Sequence, residues 1–237
     1  MKKIIYITTS LLLISFTTAF AKNHVYLIHG YGSVKLSMSS LARYLKKNGY
    51  TVTNWGYNSL GKSIPELGKM LFDEIKGEKQ IDSVNFVTHS MGGLVVRSLL
   101  GHAKQDSAFP KVCRIVMLSP PNKGAEIADF FAQSKVIKKI LGPNLEYMTT
   151  DSTSLANKLP VLEDEEVGII AGARFDDKGY NLIIEGDDDG FLTTEKTKLG
   201  TEKDFIVIPE AHFFMAQNKK SKEYVLRFLK AGKFTEE

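Results

Sequence analysis

The sequence has one cysteine, Cys113, so no internal disulfide can form and stability must come from packing. Cys113 opens an apolar run over 113–118 with no histidine near it in sequence. It reads as a buried, inert thiol rather than a nucleophile. Net charge is also scarce. The formal charge is +4, and subtracting the two lysines at positions 2 and 3 leaves +2, too little to draw in nucleic acid. The apolar stretch over 4–16 is broken by Thr and Ser, and it falls short of the ~20 residues that span a bilayer. Internal repeats and low-complexity tracts are missing as well.

What the N-terminus does contain is a basic start (Lys2-Lys3), that short apolar stretch, and Ala19-Phe20-Ala21, a small-x-small cleavage pattern. The expectation is a secretory signal peptide over 1–21, cut after Ala21, and an exported protein, periplasmic or secreted. No cysteine lies near the cut, which argues against a lipid-anchored start. The remainder, 22–237, is 43% hydrophobic and 24% charged when counted with the leader, an ordinary globular balance for one domain that buries its own core.

Short Val/Ile-rich runs alternate with segments of helical period. Strands are expected over 24–28, 51–55, 84–89, 113–118, 166–172 and 205–208, and helices over 36–47, 63–76, 91–103 and 217–230. Asn48-Gly49 ends the first helix, and Pro65 sits in the first turn of the second, where a missing N–H costs little. Strands separated by helices imply crossovers. The fold class is therefore α/β: a mostly parallel sheet of six strands or slightly more, covered by helices on both faces. Such sheets bind ligands at the carboxyl ends of their strands. Between 118 and 166 the alternation fails. Two apolar-faced helical stretches, 126–133 and 134–141, stand in an insertion of about 125–165 on that same edge, expected as a small helical cap.

Thr88-His89-Ser90-Met91-Gly92-Gly93 follows the third strand and opens the next helix. A serine on a sharp strand-to-helix turn has an exposed side chain, with the first helix amides aimed at whatever it attacks. A serine hydroxyl is a weak nucleophile that needs a base and an orienting carboxylate. Of five histidines, His24 begins the first strand at the wrong edge, and His102 lies about three turns down the helix. His89 is expected to face away from its neighbour Ser90. His29 belongs to the loop after the first strand, where a structural role is expected. His212 follows the last strand and comes late enough for the order serine, acid, histidine. The acid is sought in Glu185-Gly186-Asp187-Asp188-Asp189-Gly190-Phe191-Leu192, a stretch that also fits a solvated turn or a calcium loop. Asp189 is preferred because Gly190 and an apolar segment follow it. Asp187 and Asp188 are the fallbacks, and Asp176 and Asp177 stay open. An oxyanion hole needs two amides. Those of Met91 and of Tyr31, flanked by Gly30 and Gly32, are the candidates.

His29-Gly30-Tyr31-Gly32, Thr88 to Gly93, Leu118-Ser119-Pro120-Pro121-Asn122-Lys123-Gly124 and Gly186 to Gly190 together resemble the α/β-hydrolase superfamily. Within it they resemble small bacterial lipases and esterases, and lipase-like hydrolases related to inositol deacylases of glycolipid anchors. The resemblance runs from about residue 24 to 228. It implies a catalytic triad of Ser90, Asp189 and His212 with Tyr31 and Met91 as oxyanion donors. Thr88 stands where a glycine is usual, and Lys123 where a histidine is usual; Lys123 is expected to alter the pocket mouth. The implied activity is carboxylic ester hydrolysis through an acyl-enzyme, with no metal or organic cofactor. An amidase, thioesterase or transacylase would use the same triad, and a catalytically dead hydrolase fold would be a binding protein. The implied substrate is a small-molecule or lipid ester. The apolar insertion (Phe130, Phe131, Ile137, Ile140, Leu141, Tyr147, Met148) suits an acyl chain or transient contact with a lipid surface, and equally a small core of its own. The oligomeric state is left open.

Overall fold

A computed structural model describes residues 24–235. The expected signal peptide, and the cut after Ala21, lie outside the described residues. Strands β1 (His24–Ile28), β2 (Thr51–Trp55), β3 (Ser83–His89), β4 (Lys111–Leu118), β5 (Glu166–Ala173) and β6 (Asp204–Pro209) form one sheet of order β2-β1-β3-β4-β5-β6. Every neighbouring pair is parallel. All six strands therefore end on the same edge.

The side chains alternate between two layers, as the pleat requires. Tyr26, Ile28, Phe86, Ile115 and Met117 point to one face, packed against α2 (Ile64–Gly77) and α3 (Gly92–Ala103). Val25, Leu27, Val87, Val116 and Leu118 point to the other, against α1 (Ser39–Lys47) and α9 (Lys219–Ala231). Ser63 caps α2 in a reciprocal capping box with Glu66. Asn218 caps α9 by accepting from the Ser221 amide at 3.1 Å. Among the described residues, no helix is long and apolar enough to cross a membrane.

Two details differ from the sequence reading. β4 begins at Lys111, two residues early, so Cys113 lies in the strand's exposed first half and is only partly buried. The insertion also holds more helix than expected. After α4 (Glu126–Ala132) and α5 (Lys135–Leu141) come the short α6 (Pro143–Tyr147) and α7 (Leu155–Lys158). One-turn helices carry no readable period, so the sequence shows them only as loop. A further short helix, α8 (Thr194–Thr197), precedes β6.

Buried polar groups hold this segment to the sheet-covering helices. Arg97 of α3 is 2% exposed. Its Nε donates to the Pro160 carbonyl at 3.3 Å, and its two terminal nitrogens donate to those of Asn122, Ala156 and Leu159 at 3.1, 3.0 and 2.6 Å. It forms no ion pair within the described residues, and burial pushes its pKa down to about 10. Asn144 of α6, fully buried, accepts from the Ile64 amide at 2.9 Å and donates to the carbonyls of Ser59 and Lys62 at 3.0 and 2.7 Å.

Truncating Arg97 leaves four carbonyls without their donor in a dry site, and each lost partner costs about 1–3 kcal/mol. Arg97→Ala is expected to lower the unfolding free energy by at least ~3 kcal/mol in urea denaturation, with Arg97→Lys recovering only part because an ammonium cannot span the same fork.

Candidate active site

β3 ends at His89, and α3 begins at Gly92. Between them Ser90 has φ +54°, a left-handed conformation that costs a serine energy and persists only where its surroundings hold it. Its amide donates to the Leu118 carbonyl at 2.9 Å, and its own carbonyl accepts from Gly93 at 2.9 Å. Gly92 is required by proximity: a Cβ there would stand 2.5 Å from the Ile28 carbonyl oxygen. The same closeness brings the loop after β1 against the serine, since a Cβ on Gly30 would come within 3.0 Å of the Ser90 Cβ.

In that loop the Ser33 amide reaches the Gly30 carbonyl at 3.4 Å, closing a turn around Tyr31 and Gly32. The His29 Nδ1–H donates to the Gly30 carbonyl at 2.9 Å. The His29 ring stacks on Tyr57 with centroids 4.0 Å apart, and the Tyr57 hydroxyl donates to the His29 carbonyl. Burial lowers the His29 pKa. Tyr31 lines the cavity beside Ser90, and its hydroxyl donates to the Leu141 carbonyl at the end of α5. Met91 is the N-cap of α3 with a fully buried side chain; its N–H precedes the intrahelical ladder.

Asp189 lies between β5 and β6 and is 1% exposed. One oxygen accepts from the Phe191 and Leu192 amides at 3.0 and 3.2 Å, and the other meets the His212 Nδ1 at 2.7 Å. Gly190, at φ +103°, makes the reversal that turns those two amides back onto the carboxylate. The His212 amide donates to the Asp189 carbonyl at 2.8 Å, so backbone and side chain are joined together. With Nδ1 engaged, Nε2 is the nitrogen left to exchange a proton. The other acids are occupied differently. Asp187 accepts from the Arg174 and Phe175 amides at 2.7 and 2.6 Å, and Asp176 pairs with Arg174 at 2.9 Å. Asp188 is buried against Gly179 and accepts from the amides of Gly190 and of Asn181, the latter at 3.4 Å; burial raises its pKa. Asp177 has positive φ in the same loop and is exposed.

His89 departs from expectation. Its ring lines the cavity rather than facing away, stands 4.8 Å from the His212 ring, and joins Nε2 to the His212 carbonyl at 2.9 Å. Strand alternation is a poor guide here because Ser90 has left strand geometry. Burial, followed by the neighbouring His212, pushes the His89 pKa down to about 3. Phe191 also stacks on the His212 ring, with centroids 4.7 Å apart. Neither neighbour of His212 has a local sequence signal, since each contact closes over a long loop.

Ser90 and His212 open into one cavity of about 270 Å³. Pro121, Ile127, Phe131, Leu145, Met148 and Phe191 are among its walls, five of them from the segment after β4. Lys123 is exposed and outside the lining, so the expected change at the mouth is not seen. Among the described residues, no cluster of three or more His, Cys, Asp or Glu could hold a metal ion.

A family model described as a domain of unknown function (DUF7379) matches residues 17–158, more than half of the 237-residue chain. No curated protein sequence matches. Among solved structures similar to it is the mature lipase BlEst2 of Bacillus licheniformis, with a TM-score of 0.66 and 18% identity over 90% of this chain and 92% of that one. Phospholipase PlaB of Legionella pneumophila gives a TM-score of 0.67 at 15% identity, over 89% of this chain and 60% of that one. A lipase-esterase related protein of Clostridium acetobutylicum gives 0.54 at 16%, over 89% and 96%. At these identities the likeness establishes the fold, and the fold is that of the α/β-hydrolases.

His89 generates a pH prediction. Its folded pKa lies near 3 against 6.5 when unfolded, so below pH 6.5 the unfolded chain binds the proton that the folded chain refuses. The unfolding free energy is expected to fall between pH 6.5 and 3, by up to about 1.4 kcal/mol per pH unit from this group. His89→Gln, which keeps a donor but cannot titrate, is expected to flatten that slope in denaturation curves measured across the range.

Proposed function

The chain belongs to the DUF7379 family, a domain of unknown function, and we propose that it is a serine hydrolase that cleaves carboxylic esters through an acyl-enzyme on Ser90. One observation carries the reading: a strained serine and a histidine–carboxylate pair, drawn from three different strand ends, share one apolar cavity. In this mechanism His212 Nε2 takes the Ser90 proton as the hydroxyl oxygen attacks the ester carbonyl. Asp189 fixes the imidazole tautomer and stabilises the imidazolium that forms. The amides of Tyr31 and Met91 receive the oxyanion, and each such donor contributes about 3–4 kcal/mol in the transition state. The imidazolium then returns its proton to the leaving alcohol. Water enters, His212 deprotonates it, and the acid is released with Ser90 restored.

The apolar walls supplied by the segment after β4 support an acyl group as the part of the substrate held there, with that segment acting as a cap. They offer no charged group to an amino acid or a phosphate, which favours an ester of an uncharged acyl chain.

Purified protein is expected to hydrolyse p-nitrophenyl butyrate and to be labelled by a fluorophosphonate probe, with Ser90→Ala abolishing both. Asp189→Asn is expected to reduce kcat about 10⁴-fold, through loss of the correct tautomer. Asp187→Asn should stay within a few-fold of native. Undiminished turnover by pure Ser90→Ala protein would overturn the assignment.

A further inference from the structure

Three segments meet beside the cavity mouth, and their surface is both apolar and basic. They are the loop after β1 (30–38), the loop after β2 (56–63) and the α5 region (130–145). Contacts tie them together. The Tyr31 hydroxyl bonds Leu141, Gly142 sits against the Leu60 carbonyl, and the Lys35 side chain packs on Gly56. Val34, Leu36, Leu60, Val136 and Ile140 stand on these segments, each between 51% and 75% exposed. The same segments hold Lys35, Lys62, Lys135, Lys138 and Lys139 and not one Asp or Glu; the first acidic residue of the whole chain is Glu66. Of the five lysines only Lys138 has an ion pair among the described residues, with Glu146 at 2.7 Å.

We propose that this face docks on an anionic lipid surface, with the apolar side chains entering the headgroup boundary and the lysines at headgroup level. An amphipathic patch of exposed aliphatics among lysines fits such an interface, and each lysine held there strengthens binding by about fivefold. A second copy of the chain fits poorly, because a two-fold contact through this face would set lysine against lysine. The face is continuous with the site. Gly32, Ser33 and Ser37 of the first loop, and Leu141 at the end of α5, also line the cavity. Docking would place the mouth against the lipid. An acyl ester could then pass from the lipid into an apolar cavity without crossing water. The proposal rests on the hydrolase reading for its purpose, though not for the binding itself.

The test is flotation with vesicles of phosphatidylcholine alone and with 30% phosphatidylglycerol, using Ser90→Ala protein so that turnover cannot change the lipid. Binding is expected to the mixed vesicles and not to phosphatidylcholine, and to fall at high salt. Lys135→Glu/Lys139→Glu and Ile140→Asp should each weaken it at least tenfold, while hydrolysis of a soluble short ester in the Ser90 background stays native. Lys46→Glu/Lys47→Glu, at the opposite edge of the sheet, makes the same change in net charge and should leave binding intact. Equal binding to both vesicles, no binding, equal loss in the control pair, or a dimer in size-exclusion chromatography that Ile140→Asp dissociates would each overturn the proposal. Native protein that floats with lipid but hydrolyses no ester would keep the docking and remove the hydrolase reading.

Discussion

A carboxylate taken out of water must be given donors, and that requirement organises the strand-end edge of this molecule. Asp189 is almost wholly buried and satisfied from three directions: two amides that Gly190 folds back onto it, and the ring of His212. The bond between the His212 amide and the Asp189 carbonyl ties the loop after β5 to the one after β6. Phe191 is held in turn by the Ile127 amide, and Thr193 by Glu126, so α4 is attached to the same loop. Changing the turn at Gly190 would disturb the histidine, the loop and one wall of the cavity at once.

The segment after β4 packs Ala125, Ala128, Leu145, Met148, Ala156 and Leu162 into the core layer shared with α2 and α3, and buried polar groups fix where its backbone runs. Arg97 reaches into it from α3 and ends on carbonyls, while Asn144 reaches out of it to the loop before α2. Both side chains bond to backbone, which specifies where the chain runs rather than which residues it carries. Phe131, Leu145 and Met148 of the same segment join that core layer and also line the cavity.

The central strands were legible because their apolar runs are buried on both faces, and the predicted limits of β1 and of the edge strand β2 agree with the structure to the residue. The serine turn was legible because Gly92 and Gly93 mark a close approach that a Cβ would obstruct. Choosing Asp189 over its neighbours relied on the glycine after it; three successive aspartates have one composition but, here, three different sets of partners. His89 could not be read. Its contact with His212 spans 123 residues, and alternation, the only local rule available, stops holding at a residue with positive φ. The exposure of Cys113 was missed for a related reason, since the run of apolar residues hides where the strand emerges from under the helices.

No Lys, Arg, Asp or Glu lines the cavity among the described residues. Its polar lining consists of hydroxyls, the Gln217 amide and the imidazoles of His89 and His212, so a polar group bound there would meet neutral dipoles, which act at greater strength in an apolar space than at a surface. His89 fits the same arrangement: burial keeps it neutral beside His212, where it donates a hydrogen bond to the His212 carbonyl without bringing a charge into the cavity wall. The charges excluded from the cavity stand just outside it, on the lysines of the neighbouring loops. That pairing of an apolar interior with a cationic margin is the arrangement on which both the ester-hydrolase reading and the proposed lipid docking rest.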